Sequence, residues 1–170
     1  MACCSKMTDL LKSDHHELDR LLADLFESFS NGDTVKVLGQ LDFFWARLAM
    51  HIRAEHLHLF PALRAVFDAD DARSLIVERL SKDHNFFMTE LSAVMKQIRT
   101  LTSDSTADGT DVLARIWKRM IRLQKRLKKH NRLEEKQVYL WADTAIAPSE
   151  TQALMQGISK ELNSMPPRFC

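Results

Sequence analysis

Seven histidines punctuate this chain of 170 residues, and they are clustered rather than scattered. His15 and His16 are adjacent, His51, His56 and His58 lie close together, and His84 and His130 stand alone. Two of them open the pattern His-x-x-x-Glu: His51 with Glu55, and His130 with Glu134. Residues four apart on a helix share a face, with Cβ atoms about 5–6 Å apart. Each pair can therefore offer one imidazole nitrogen and one carboxylate to the same region. Imidazole and carboxylate donors together suit iron, manganese or zinc. Two carboxylates able to bridge favour a dinuclear site, which helical bundles build in their cores.

Long helices must position these groups. Four segments carry apolar residues every three or four positions. The first runs through Leu11, His15, Leu18, Leu22, Leu25 and Phe29 and ends at Asn31-Gly32-Asp33. The second runs through Val37, Leu41, Phe44, Leu48, His51, Glu55, His58, Ala62 and Val66, with Pro61 expected to kink it. The third carries Ile76, Leu80, His84, Phe87, Leu91, Val94, Ile98 and Leu101. The polar stretch from Ser103 to Thr110, with Gly109, reads as a loop. The fourth carries Leu113, Trp117, Met120, Leu123, Leu127, His130, Glu134, Val138 and Trp141, and a shorter fifth helix follows Pro148 to about Leu162. The expected fold is all-α: an antiparallel up-down-up-down four-helix bundle with an additional C-terminal helix. Counted from the connecting loops at about 1.5 Å per residue, His15, His51, Glu55, His84, His130 and Glu134 fall within about a turn of one height. Six ionisable groups in one core layer are costly unless paired or metal-bound.

Composition agrees. Four Gly and four Pro are too few for a many-stranded sheet protein. Hydrophobic residues at 45% and charged ones at 28% fit an ordinary globular chain with one sizeable core. No apolar run is long enough to span a membrane. Cys3, Cys4 and Cys170 lie at the extreme ends, so a reducing, cytoplasmic setting is expected. Net charge of +1 names no partner. The stretch from Lys118 to Lys136 holds nine Lys or Arg against two Glu, but no aromatic residue interleaves. It reads as a solvated helix face, and nucleic acid is disfavoured.

The ordered set LKSDHHEL, HIRAEHLHLFPAL, SKDHNFF and HNRLEE resembles the hemerythrin-like, or HHE cation-binding, domain over residues 6–142, leaving 143–170 as a C-terminal helix and tail. The resemblance implies a non-haem di-iron centre held by His15, His51, Glu55, His84, His130 and Glu134. His15 and His51 would serve one iron and His84 and His130 the other, with Glu55, Glu134 and an oxo or hydroxo group bridging. Zinc or manganese would suit the same donors. Such a protein would bind or sense dioxygen or nitric oxide. The alternatives are a peroxide-consuming di-iron enzyme and an iron storage or donation protein. A monomer or homodimer is expected. Met88 stands where oxygen-carrying hemerythrins place a further His, so counting ligands leaves an open position on each iron. Glu134 shares the face of His130, whereas Glu135 is expected to point away. His58 could be a ligand, line a channel or simply pack. His16 and His56 are expected on the solvent side, and Asp14 and Asp83 could orient imidazoles. Phe43, Phe44, Trp45, Phe86 and Phe87 are expected to jacket the metals. An internal echo supports the reading: Leu11-Lys-Ser-Asp14-His15 parallels Leu80-Ser-Lys-Asp83-His84, and each is followed by His-x-x-x-Glu.

Overall fold

The apolar stripes become the buried faces of helices, and no strand occurs among the described residues, which are 6–103 and 109–169 of a computed structural model. Cys3, Cys4 and Cys170 lie outside them. Helix α1 spans Met7–Ser30 and buries Leu11, Leu18, Leu22 and Leu25. Gly32, at φ 70°, turns the chain in a conformation that a side chain would strain. Asp33 then caps α2, Thr34–Ala54, by accepting the Lys36 backbone N–H at 2.9 Å.

Pro61 does not simply kink the second helix. A π-helical turn over Glu55–Leu59 separates α2 from α3, Phe60–Val66, and places Pro61 in the first turn of α3, where its missing N–H does no harm. The Phe60 N–H bonds the Glu55 carbonyl five residues back. Helix α4 spans Ala72–Ser103 and α5 spans Gly109–Leu133, so Gly109 opens a helix rather than lying in a loop. A second π-helical turn, Glu134–Val138, leads into α6, Tyr139–Ala145, and here no proline is involved. Again the bond runs five residues back, from the Tyr139 N–H to the Glu134 carbonyl. On a regular helix a residue five positions on points about 140° away. A wide turn absorbs one residue and leaves it only about 40° away. Both wide turns start at the glutamates of the two His-x-x-x-Glu patterns.

Packing brings α1 against α2, α2 against α4, and α4 against α5, while α6 lies on α1 and α3. Two apolar clusters result. One holds Leu22, Phe44, Phe87, Leu91 and Met120; the other holds Leu11, Phe60, Leu63, Val138 and Ile158. Along each long helix the histidines and glutamates fall between these clusters.

Helix α7, Pro148–Leu162, shares the second cluster through Ile158 and Leu162 and lies on α2. The His58 ring packs flush on it: a Cβ built at Gly157 would sit 2.8 Å from ring atoms. The Arg47 guanidinium donates to the Leu162 carbonyl at 2.9 Å, and Arg53 pairs with Glu161 at 3.1 Å. Replacing Gly157→Val should force α7 away from His58 and cost about 1–3 kcal/mol as overpacking. Urea unfolding measures the loss, and limited proteolysis after residue 145 should accelerate.

Candidate metal centre

Six ionisable side chains meet in the layer between the two apolar clusters. His15, His51, Glu55, His84, His130 and Glu134 come from α1, α2, α4, α5 and the two wide turns, and none is more than 3% exposed. The imidazoles form two pairs. His15 Nε2 and His51 Nε2 are 3.2 Å apart; His84 Nε2 and His130 Nε2 are 2.9 Å apart. Each carboxylate sends one oxygen to each pair. Glu55 Oε1 lies 3.7 Å from His51 Nε2, and Glu55 Oε2 lies 3.2 Å from His84 Nε2. Glu134 Oε2 lies 3.4 Å from His15 Nε2, and Glu134 Oε1 lies 2.9 Å from His130 Nε2. Donor atoms therefore converge in two groups, one at His84 and His130 and one at His15 and His51, with Glu134 common to both.

The outer ring nitrogens are held as well. Asp14 Oδ2 accepts from His51 Nδ1 at 2.9 Å, and Asp83 Oδ2 lies 3.4 Å from His130 Nδ1. Each aspartate serves the helix opposite, not the histidine that follows it in sequence. Glu135 turns away from the centre, as its helical position requires, but its Oε1 reaches His15 Nδ1 at 2.9 Å. His56 departs from expectation. It is half-buried rather than on the solvent side, and its Nε2 meets His84 Nδ1 at 2.9 Å. A proton on each Nδ1, donated outward, leaves every Nε2 lone pair facing inward, as a metal requires. His16 is exposed, and His58 is not among the converging groups.

The donor set fits cations. Glu55 Oε2 and Glu134 Oε1 are buried and accept no hydrogen bond. Both face the Nε2 atoms of His84 and His130, where oxygen and nitrogen lone pairs would point at one another without a proton or a cation between them. Uncompensated buried carboxylates are costly, and a cation between these atoms removes that cost.

In the metal-free chain, protons take part of that role. Burial favours neutral His15, but Glu134 and Glu135 outweigh it and raise its pKa to about 9. Burial likewise opposes charge on His130, yet Glu134, Asp83 and Glu55 raise it to about 10. Burial would raise Glu134, but His130 and His15 hold it well below the usual carboxylate range. Metal entry must displace these protons.

Tyr139 escaped the sequence reading. Its hydroxyl donates to Glu55 Oε1 at 2.9 Å and lies 3.0 Å from His15 Nε2 and 3.4 Å from Glu134 Oε2. Burial, with Glu134 and Glu55 beside it, pushes the phenol well above its ordinary pKa. Regular helical spacing from Glu134 would aim it elsewhere; the wide turn brings it inward. The same turn on the other side delivers Phe60, whose ring stacks on His84 at 5.7 Å and 8°. Among these groups the phenol lies on the His15/His51 side alone.

The aromatic jacket differs from expectation too. Phe87 meets His130 edge-on at 5.2 Å. Phe44 lies in the apolar cluster beyond, Phe43 packs on Phe169, and Phe86 lies under the Arg126 guanidinium. On the basic face, Arg119 pairs with Glu90 and Arg126 with Asp83, while Lys125, Lys128 and Lys129 are exposed.

A family model described as the hemerythrin HHE cation binding domain matches residues 6–142. No curated protein and no solved structure matches the chain.

Two outcomes follow from these contacts. Raised imidazole pKa values stabilise the metal-free fold fully below about pH 6.5, and that contribution is lost as pH rises through about 9 to 10. Unfolding of metal-free protein across this range should show the decline, and metal loading should flatten it. Arg47 bonds Asp14, Glu17 and the Leu162 carbonyl together. Arg47→Met strands a buried aspartate and should cost about 3–5 kcal/mol. It should also weaken metal binding about 10–100-fold in chelator competition, because Asp14, which orients His51, loses the guanidinium that fixes it.

Proposed function

The chain belongs to the hemerythrin HHE cation-binding domain family, and from that premise we propose that it holds a non-haem pair of iron ions with which it binds or senses dioxygen or nitric oxide. The observation that carries this reading is the division of each carboxylate between two histidine pairs. His15 and His51 hold one ion, His84 and His130 the other, and Glu55 and Glu134 bridge. Zinc or manganese would satisfy the same donors, so the metal itself must be measured.

The contacts support the finer topology as well. Met7 N–H donates to Asp143 at one end of the fold, and Phe26 meets Trp117 at the other. Such pairing suits long helices running up, down, up and down. The bundle would span residues 6–142, with 143–170 as its C-terminal cover. No described helix is long and apolar enough to cross a membrane. The reading carries a cytoplasmic setting and a monomer or homodimer as expectations.

When bound, the metal pair supplies electrons and open coordination positions for a small oxygen- or nitrogen-containing ligand. The protein excludes water with Phe60 and Phe87 and fixes ring tautomers through Asp14, Asp83, Glu135 and His56. Burial of all six ligands disfavours an iron store or donor, which must release metal readily. A peroxide-consuming enzyme is the second reading. It is favoured by His56, whose half-buried ring links solvent to His84 and could pass protons inward.

Metal analysis of purified protein should find about two irons per chain, with an optical spectrum that changes on reduction and on exposure to dioxygen or nitric oxide. Intact folding with a metal content near zero would falsify the central reading. Glu55→Ala removes one bridge and should abolish the pair; two metals retained would show the bridging assignment to be wrong. A stable reversible gas adduct supports binding or sensing, whereas steady turnover of hydrogen peroxide supports the enzyme.

A further inference from the structure

Tyr139 is the chain's single tyrosine, it is fully buried, and its oxygen sits inside the cage of donors. A hydroxyl has one hydrogen to give, and Glu55 Oε1 at 2.9 Å receives it. The same oxygen lies 3.0 Å from His15 Nε2, from which it can accept when that nitrogen is protonated, and 3.4 Å from Glu134 Oε2. A phenylalanine would fill the apolar cluster below as well as this ring does, so packing alone does not account for the oxygen.

Coordination geometry accounts for it. Donor atoms at right angles around an ion, with bonds of about 2.1 Å, lie about 3 Å apart. The phenol oxygen stands at that separation from two donors of the His15/His51 side and only slightly farther from a third. His51 Nε2, 3.2 Å from His15 Nε2, extends the same set. We propose that Tyr139 is itself a metal ligand, bound through its oxygen to the ion held by His15 and His51.

The proposal rests on the two-metal reading and sharpens it. Binding to iron(III) exchanges the O–H bond for an O–metal bond; one proton leaves to solvent and no electrons move. Two imidazoles, two carboxylate oxygens, the phenolate and one solvent-derived bridge then complete six positions on that side. The other side has His84, His130, two carboxylate oxygens and the bridge, so one position stays open. It is the side where Glu55 Oε2 and Glu134 Oε1 lack hydrogen-bond partners. A small ligand would therefore enter at His84 and His130 only, which replaces the expectation of one open position on each iron.

The test uses the full chain loaded with iron(III), with metal content measured first. Resonance Raman excitation into the visible band should enhance tyrosinate ring vibrations, and a single tyrosine makes their source unambiguous. Tyr139→Phe should keep two irons per chain and lose both the vibrations and the associated visible band. Two irons without tyrosinate vibrations in the wild-type protein would overturn the proposal, and so would vibrations that survive in the variant. The wild-type spectrum decides the matter even if the variant folds poorly. Fewer than two irons in the wild-type protein would instead indicate failure of the two-metal reading beneath it.

Discussion

Two carboxylates at the centre of a helical core, Glu55 and Glu134, set the terms for everything around them. Neither side chain has measurable exposure, so their charge must be met from within the protein. Four imidazoles supply the inner contacts, and without metal two of them hold protons that water would remove near neutrality. Placing the layer between two apolar clusters keeps water out and strengthens each of these interactions. The cost of the buried charge and the capacity to hold cations are the same fact.

The two halves answer this constraint alike in part. Asp14 holds His51 just as Asp83 holds His130, each across a helix pair. The residue after each of the two buried glutamates holds a histidine of another helix, and the residue five positions on is swung inward by a wide turn. The halves differ in what occupies those places. His56 stands where Glu135 does, and Phe60 stands where Tyr139 does. Two exchanges of side chain within a repeated scaffold therefore give one histidine pair a carboxylate neighbour and a phenol. The other pair receives an imidazole and an apolar ring.

The C-terminal helix is tied to this centre by an electrostatic chain. The carbonyl of Leu162, at the negative end of α7, binds Arg47; Arg47 binds Asp14; Asp14 binds His51. Arg47 is buried, so its charge needs all of these partners. Docking of α7 and orientation of the His51 imidazole thus share one cation.

Much of this was legible in the sequence because helical periodicity is local. Spacing of Leu11, Leu18, Leu22 and Leu25 fixes a buried face, and His51 with Glu55 must share one, whatever else the chain does. Heights along helices joined by short loops follow from counting residues, and the six candidate donors do gather in one layer. The departures arise where a contact crosses helices or a helix leaves its regular pitch. The partnerships of Asp14 with His51 and of Glu135 with His15 depend on how helices are rotated against each other. His56 with His84, and His58 against Gly157, depend on that rotation too. Pro61 hinted at one irregular turn, but nothing in Glu-Glu-Lys-Gln-Val announces the other. The sequence by itself determined which residues could bind metal. Tertiary structure decided that the two sides are unequal, because only the widened turn after Glu134 aims the phenol of Tyr139 into the cage.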